Sequence, residues 1–295
     1  MDIIKNISII FISIFFESLP FLLLGALISS IIETFISDGT MSKIIPKNKI
    51  LGSIVGVLLG FFLPACDCAV IPVSKRLLKK KVPINVAVSF MLASPIINPV
   101  VLLSTYYAFY KTNPQIFWSR LIFGIVISLV IGIIIGLIFN KKEVITNNIF
   151  ECDCHNHEHK NIKNTILDIF KHTSYDLFEV VKYLMFGALI ASIVQVTLPR
   201  NLLIEFNSNK ALSIIILMLF AYLISLCSTS DSFVGKSLLT SFTTSSVVAY
   251  LLLGPMIDIK NTIVLLGNYK KSFVITLISL IFITIFIISL VVIKV

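Results

Sequence analysis

Charge is scarce in this chain. Of its 295 residues only 13% are charged, 57% are hydrophobic, and the mean hydropathy is +1.01. A soluble domain of this length needs more surface charge, so the composition implies an all-α, polytopic membrane protein. A phosphate-binding loop of the Gly-x-x-x-x-Gly-Lys-Ser/Thr type is absent, so the chain itself is not expected to hydrolyse ATP. There is no Ser/His/Asp arrangement, and no histidine falls inside the apolar runs. Neither an enzyme nor a resident cofactor is expected. Five cysteines are an odd number and do not form a disulfide framework. The net charge of +9 raises a nucleic-acid partner. That reading is rejected, because Lys and Arg fall in the loops between apolar runs, where membrane topology puts them.

What is present is a succession of apolar runs, at 3–36, 50–65, 69–78, 84–110, 116–139, 173–198, 211–227, 232–242, 246–268 and 272–293. A helix needs about 20 apolar residues to cross the hydrocarbon core. The first run carries no signal-peptide cleavage site and reads as a retained helix. Four runs are too short to cross comfortably: 50–65, 69–78, 211–227 and 232–242. They form two pairs, each joined at a polar break. The breaks are Pro64-Ala65-Cys66-Asp67-Cys68 and Cys227-Ser228-Thr229-Ser230-Asp231. Each pair reads as a hairpin that enters the membrane and returns. Irregular backbone at that depth is tolerated only inside protein or along a wet cavity.

The same unit occurs twice. Glu17 matches Glu179, Gly25-Ala26-Leu27-Ile28 matches Gly187-Ala188-Leu189-Ile190, Cys66 matches Cys227, and Pro95 matches Pro255. The offset drifts only from 162 residues at the first landmark to 160 at the last. The halves are read as 1–139 and 173–295, with a polar cytoplasmic linker at 140–172. Equivalent hairpin bases differ in charge. The first has Lys43, Lys47, Lys49, Lys75, Arg76, Lys79, Lys80 and Lys81, and the second only Arg200, Lys210 and Lys236. The positive-inside rule explains this if the copies face opposite ways. Three crossings plus one hairpin also make an odd unit. The repeat is therefore expected to be inverted, with both termini outside and Lys141, Lys142, Lys270 and Lys271 inside. A duplicated, interrupted hydrophobic unit is the signature of a transporter.

The breaks carry the candidate chemistry. Cys66, Asp67 and Cys68 stand at one tip, Cys227 and Asp231 at the other. In an inverted repeat such tips approach each other near the midplane. Thiolates favour Cu(I), Zn(II) or a trivalent metalloid. Cysteine is also a common apolar filler, and an aspartate can simply cap a half-helix. Asn98 and Asp258 match one another after Pro95 and Pro255, where proline frees a carbonyl one turn earlier. They are expected either to meet a cation or to bond the loosened backbone. Glu17 and Glu179 are candidate proton-coupling residues. In the linker, Cys152, Cys154, His155, His157 and His159 cluster within eight residues, an accessory soft-metal signal or a plain solvated loop. Gly25 and Gly187 are expected to allow close helix contact.

At these residues the chain resembles the YraQ/ArsP-type permeases of bacteria. The motifs are Cys66-Asp67-Cys68-Ala69-Val70-Ile71-Pro72, Val82-Pro83, and the run from Ala93-Ser94-Pro95-Ile96-Ile97-Asn98-Pro99 to Ser104-Thr105. In the second half they are Cys227-Ser228, Asp231-Ser232-Phe233-Val234 and Gly254-Pro255-Met256-Ile257-Asp258-Ile259-Lys260-Asn261. The family commonly has glycine where this chain has Lys81. The resemblance implies a permease of the bacterial cytoplasmic membrane, seated in the lipid bilayer. Some members are linked to efflux of trivalent organoarsenicals, others to copper or zinc, and some look like one subunit of a two-component permease. The expected activity is export of a thiophilic metal ion or metalloid. Cys66, Cys68 and Cys227 would bind cargo, while Asp67, Asp231 and Asp258 would neutralise charge or exchange protons. Two rivals come from other classes: a transmembrane thiol–disulfide carrier of the CcdA kind, and a membrane scaffold or sensor using the linker cluster.

Overall fold

A computed structural model describes residues 2–35, 46, 48–63, 66–80, 82–139, 144, 162–197 and 209–291. The described chain is helical. The first half gives α1 (Asp2–Phe35), α2 (Lys49–Phe62), α3 (Asp67–Lys79), α4 (Ile84–Ile97), α5 (Pro99–Phe109) and α6 (Gln115–Ile138). The second gives α7 (Ile162–Thr197), α8 (Lys210–Ile224), α9 (Ser230–Leu238), α10 (Thr244–Met256), α11 (Ile259–Asn268) and α12 (Lys271–Val291). Each helix of the first half thus has a counterpart six places later. The helix α7 begins at Ile162, within the stretch read from sequence as linker.

Among the described residues, six segments are long and apolar enough to span: Ile3–Leu27, Ile84–Phe109, Gln115–Ile138, Val180–Thr197, Thr244–Asn268 and Lys271–Val291. Two of these are broken pairs, α4–α5 and α10–α11. They are 78% and 83% buried, against 18–33% for the other four, so the broken pairs form the centre. The outer helices present Leu23, Ile122, Phe186, Ile275 and Ile283 outward, as lipid contact requires. The 14 residues of α2 and the 15 of α8 rise only about 21–23 Å, short of the roughly 30 Å hydrocarbon core.

Close packing explains why the short helices hold their places. Gly52, Gly56 and Gly60 recur every fourth residue on α2 and all face α4. A Cβ on Gly60 would stand 2.9 Å from the Ser94 nitrogen, and one on Gly56 would strike the Val86 carbonyl. In lipid, where burial of apolar surface drives little helix association, such contact supplies the adhesion. The central helices break where their sequences dictate. Asn98 precedes Pro99 and takes an extended ψ of 131°, which ends α4. In the second half, Ile257 and Asp258 are both extended and end α10.

Packing within the halves corresponds pair by pair: α2 on α4 as α8 on α10, and α4 on α6 as α10 on α12. Between halves, α3 lies beside α11 and α9 beside α5. The first helices break the pattern. α1 packs on α3 and α7 on α11, and α1 and α7 pack on each other. No comparable packing of α7 on α9, or of α1 on α5, develops among the described residues.

Candidate functional site

The break between α2 and α3 and the break between α8 and α9 meet at one small cavity, of about 40 Å³. Its walls come from four places. The first break supplies Cys66, Asp67 and Cys68, and the second supplies Ser225, Leu226 and Cys227. Helix α1 adds Ile14, Glu17 and Ser18, and α11 adds Lys260. A site of this size and polarity has room for two or three waters.

Local sequence explains the shape. Cys66 caps α3 with extended backbone, so Asp67 and Cys68 fall in the first turn and point inward. Asp67 is buried, with Oδ1 lacking a hydrogen-bond partner. At the other break Ser225 ends α8 in the left-handed region, at φ 52°. A non-glycine residue held there costs on the order of 1–3 kcal/mol, a cost that tends to be tolerated at functional positions. Its hydroxyl in turn accepts from the Lys260 amide at 3.5 Å. Three thiols near the cavity, Cys66, Cys68 and Cys227, are free. Cys227 lies 3.4 Å from the Thr229 hydroxyl.

The matched glycines bring the flanking helices in. Gly25 of α1 abuts Ala69 on α3, so closely that any side chain would collide. Gly187 of α7 lies over Lys260, and a Cβ there would stand 3.1 Å from the Lys260 Cα and carbonyl. Both glycines therefore serve close contact, as expected, but against different partners. The far end of α3 is tied to the corner between α11 and α12. There the Ser74 and Tyr269 hydroxyls are 2.7 Å apart, and Lys75 donates to Asn268 Oδ1 at 2.9 Å.

The remaining candidates take other places. Asn98 caps α5, accepting from the Val100 amide at 3.0 Å, and Asp258 caps α11, accepting from the Asn261 amide at 2.6 Å. The matched pair thus bonds the backbone loosened at the two breaks. Asp258 has a second oxygen to spare, and Oδ2 faces the Lys260 ammonium at 3.7 Å. Asp231 lies outside the cavity wall. It accepts from the Tyr250 hydroxyl at 2.8 Å, while its Oδ2 has no hydrogen-bond partner. Glu17 lines the cavity on α1. Glu179 belongs to α7, but its side chain lies outside the described residues. Cys152, Cys154, His155, His157 and His159 also lie outside them. Among the described residues, no three His, Cys, Asp or Glu side chains converge closely enough to hold a metal ion in this conformation.

Two cations escaped the reading that assigned Lys and Arg to loops. Lys260 and Arg120 are both buried inside apolar segments. Arg120, on α6, donates to the Thr105 hydroxyl at 2.8 Å, the Ser232 hydroxyl at 2.9 Å and the Ser228 carbonyl at 3.3 Å. Each half thus sends a cation to the broken tip of the other: Lys260 to α3, Arg120 to α9. The signal was available as a lone basic residue within each of two hydrophobic runs. A buried charge in such a segment is retained only with a partner or a purpose.

The comparisons with known proteins agree with this architecture. The family model ArsP_1, described as "Predicted permease", matches residues 3–294. The chain is 38% identical over 265 residues to a "putative two-component membrane permease complex subunit" of Streptococcus mutans, covering 90% of this chain and 87% of that one. It is 37% identical over 277 residues to the "UPF0718 protein YcgR" of Bacillus subtilis, covering 93% and 92%. No solved structure matches. Matched over residues 3–294, with four outer spanning segments around two broken central pairs among the described residues, the chain belongs to the ArsP_1 family of predicted permeases and is a multi-pass protein of the bacterial cytoplasmic membrane.

Proposed function

We propose that this permease exports a thiophilic metal ion or metalloid, and that the cavity between the two breaks is its cargo site. The observation that carries the reading is the meeting of Cys66, Asp67 and Cys68 with Cys227 along one wall-to-wall space. Soft thiolates with a carboxylate suit Zn(II), Cu(I) or a trivalent arsenical. The absence of a preformed three-ligand set among the described residues suits a carrier, which must release what it binds. Cargo would be taken by two thiols at a time, with Cys66 and Cys68 supplying the nearest pair. Asp67 and Asp258 would balance its charge, with Glu17 at the α1 wall. In this reading the halves face opposite ways and rock about the cavity.

The Streptococcus mutans relative is named as a subunit of a two-component complex. We read this chain as working beside a second membrane subunit as well. The linker cluster would gather soft cations before they enter.

The test is uptake into proteoliposomes, screening Zn(II), Cu(I) and trivalent arsenicals with and without a pH gradient. Cys66→Ser and Cys68→Ser should each lower the rate by about tenfold, as expected for losing one of very few ligands. Full activity in both variants would rule out thiol ligation. A thiol–disulfide carrier is the second reading, favoured by the placement of Cys66 and Cys227 on one cavity. Trapping those thiols in alternating redox states during turnover would select it, since a permease does not cycle them.

A further inference from the structure

We infer that Lys260 is a resident counter-ion: its ammonium occupies the empty cargo site and is displaced when a cationic cargo enters. The inference rests on reading the cavity as the cargo site. It goes beyond that reading by assigning a role to a residue outside the cysteine set.

Four observations carry it. First, Lys260 lines the cavity from the first turn of α11, opposite the thiols, and is only 3% exposed. Second, the acidic groups around it are underprovided. Asp67 Oδ1 and Asp258 Oδ2 are buried and lack hydrogen-bond partners. Glu17 adds a third carboxylate at the wall. Emptied of cargo, such a site would confront carboxylates with one another in a medium that screens them poorly. One ammonium offsets that repulsion. Third, the ammonium is loosely held. Its ion pair with Asp258 is 3.7 Å long, and a lysine head is a compact charge on a flexible stem. Arg120 at the other tip is the opposite case, a planar guanidinium fixed by two hydroxyls and a carbonyl. Fourth, the cavity holds about 40 Å³. A metal ion with its ligands and an ammonium cannot share the same carboxylates in so small a space.

The consequence is kinetic. With Lys260 in the site, the empty carrier is charge-balanced and can reorient. When a cation binds the thiols and carboxylates, the ammonium swings aside, and its return helps release the cargo. Without it, cargo binds more tightly and the empty carrier is slow to return.

The experiment reconstitutes the full chain in proteoliposomes and measures three quantities with Zn(II), and in parallel with monomethylarsenite. These are equilibrium binding, one-for-one exchange and net flux into cargo-free lumen. Lys260→Met should bind Zn(II) about tenfold more tightly and keep exchange. Its net Zn(II) flux should fall by about tenfold, because exchange returns the carrier loaded whereas net flux returns it empty. Lys260→Arg, which keeps the charge, should recover most of the net flux. Retained exchange itself certifies folding; Lys260→Gln replaces the methionine variant if that one is not monodisperse. Equal loss of exchange and net flux, or unchanged binding and flux, would overturn the inference while leaving the permease reading intact. Exchange of the arsenical but not of Zn(II) by the unmodified chain would do the same. Failure of the unmodified chain with both probes would remove the thiophilic-cargo reading, and this inference with it.

Discussion

The two broken tips stand at matching places in the halves, yet they are built for different work. The α3 tip is enclosed. Its first eight residues are all buried, beneath α1 on one side and α11 on the other. Its far end is clamped through Ser74–Tyr269 and Lys75–Asn268. The α9 tip buries only Asp231, Ser232 and Gly235, and leaves Phe233 and Lys236 exposed. Lys236 lies 161 residues after Lys75, the same offset as Cys227 from Cys66. The cations differ in the same sense. Lys260 stands in the cavity with one long ion pair, while Arg120 is locked among hydroxyls away from it. One tip therefore brings two thiols to the cavity beside a loosely paired lysine, and the other brings one thiol and is anchored on a fixed arginine. The two tips differ in their surroundings, because α1 and α7 cover only one of two equivalent faces.

The largest expected effect breaks the anchor. Arg120→Met takes a donor from the Ser228 carbonyl and from the Thr105 and Ser232 hydroxyls, and removes the buried positive charge that offsets the Asp231 carboxylate. It should destabilise the protein by about 3–5 kcal/mol, read as a large fall in Tm in detergent. Arg120→Met with Asp231→Asn should recover part of the loss. No recovery would separate the two residues energetically. A smaller effect is expected where α1 meets α3. Gly25→Val must push against Ala69 and should cost about 1–3 kcal/mol. The shift should also raise the reactivity of Cys68 toward a maleimide, since α1 is what covers that face. Unchanged labelling would mean that α1 does not seal the cavity. The smallest effects compare the matched caps. Asn98→Ala and Asp258→Ala should each cost about 1 kcal/mol of helix capping. Only the second should alter transport, because only Asp258 has an oxygen facing Lys260. Asp258→Asn keeps the cap and loses the ion pair, so it should lower transport at nearly unchanged Tm. Equal transport in the two alanine variants would erase the proposed difference between the tips.

Much of the architecture was legible because membrane helices announce their ends. Pro64, Cys66 and Asp67 interrupt hydrophobic runs, as do Ser228 and Asp231, and the short helices end within four residues of the segments read from those interruptions. The meeting of both breaks at one cavity was anticipated from their matching positions. The separation of Asp231 from that cavity was not. Its distance from Cys227 along the chain is four residues, one helical turn, but α9 begins between them and turns the carboxylate toward Tyr250. Asn98 and Asp258 were read as either ligands or backbone caps, and nothing in a linear chain separates those roles. Both need an acceptor at the same point of a broken helix.

The sequence by itself determined that the chain lies in a membrane, where its helices stop, and which residues of the two copies correspond. Hydrophobic length and polar interruption are local properties, so they can be read residue by residue. The tertiary structure alone decided that Lys260 and Arg120 cross to the opposite half, that Gly25 and Gly187 press on unlike partners, and that α1 and α7 shelter one tip. Those outcomes depend on which surfaces meet, and close contact between helices far apart in the chain leaves no periodic trace along it.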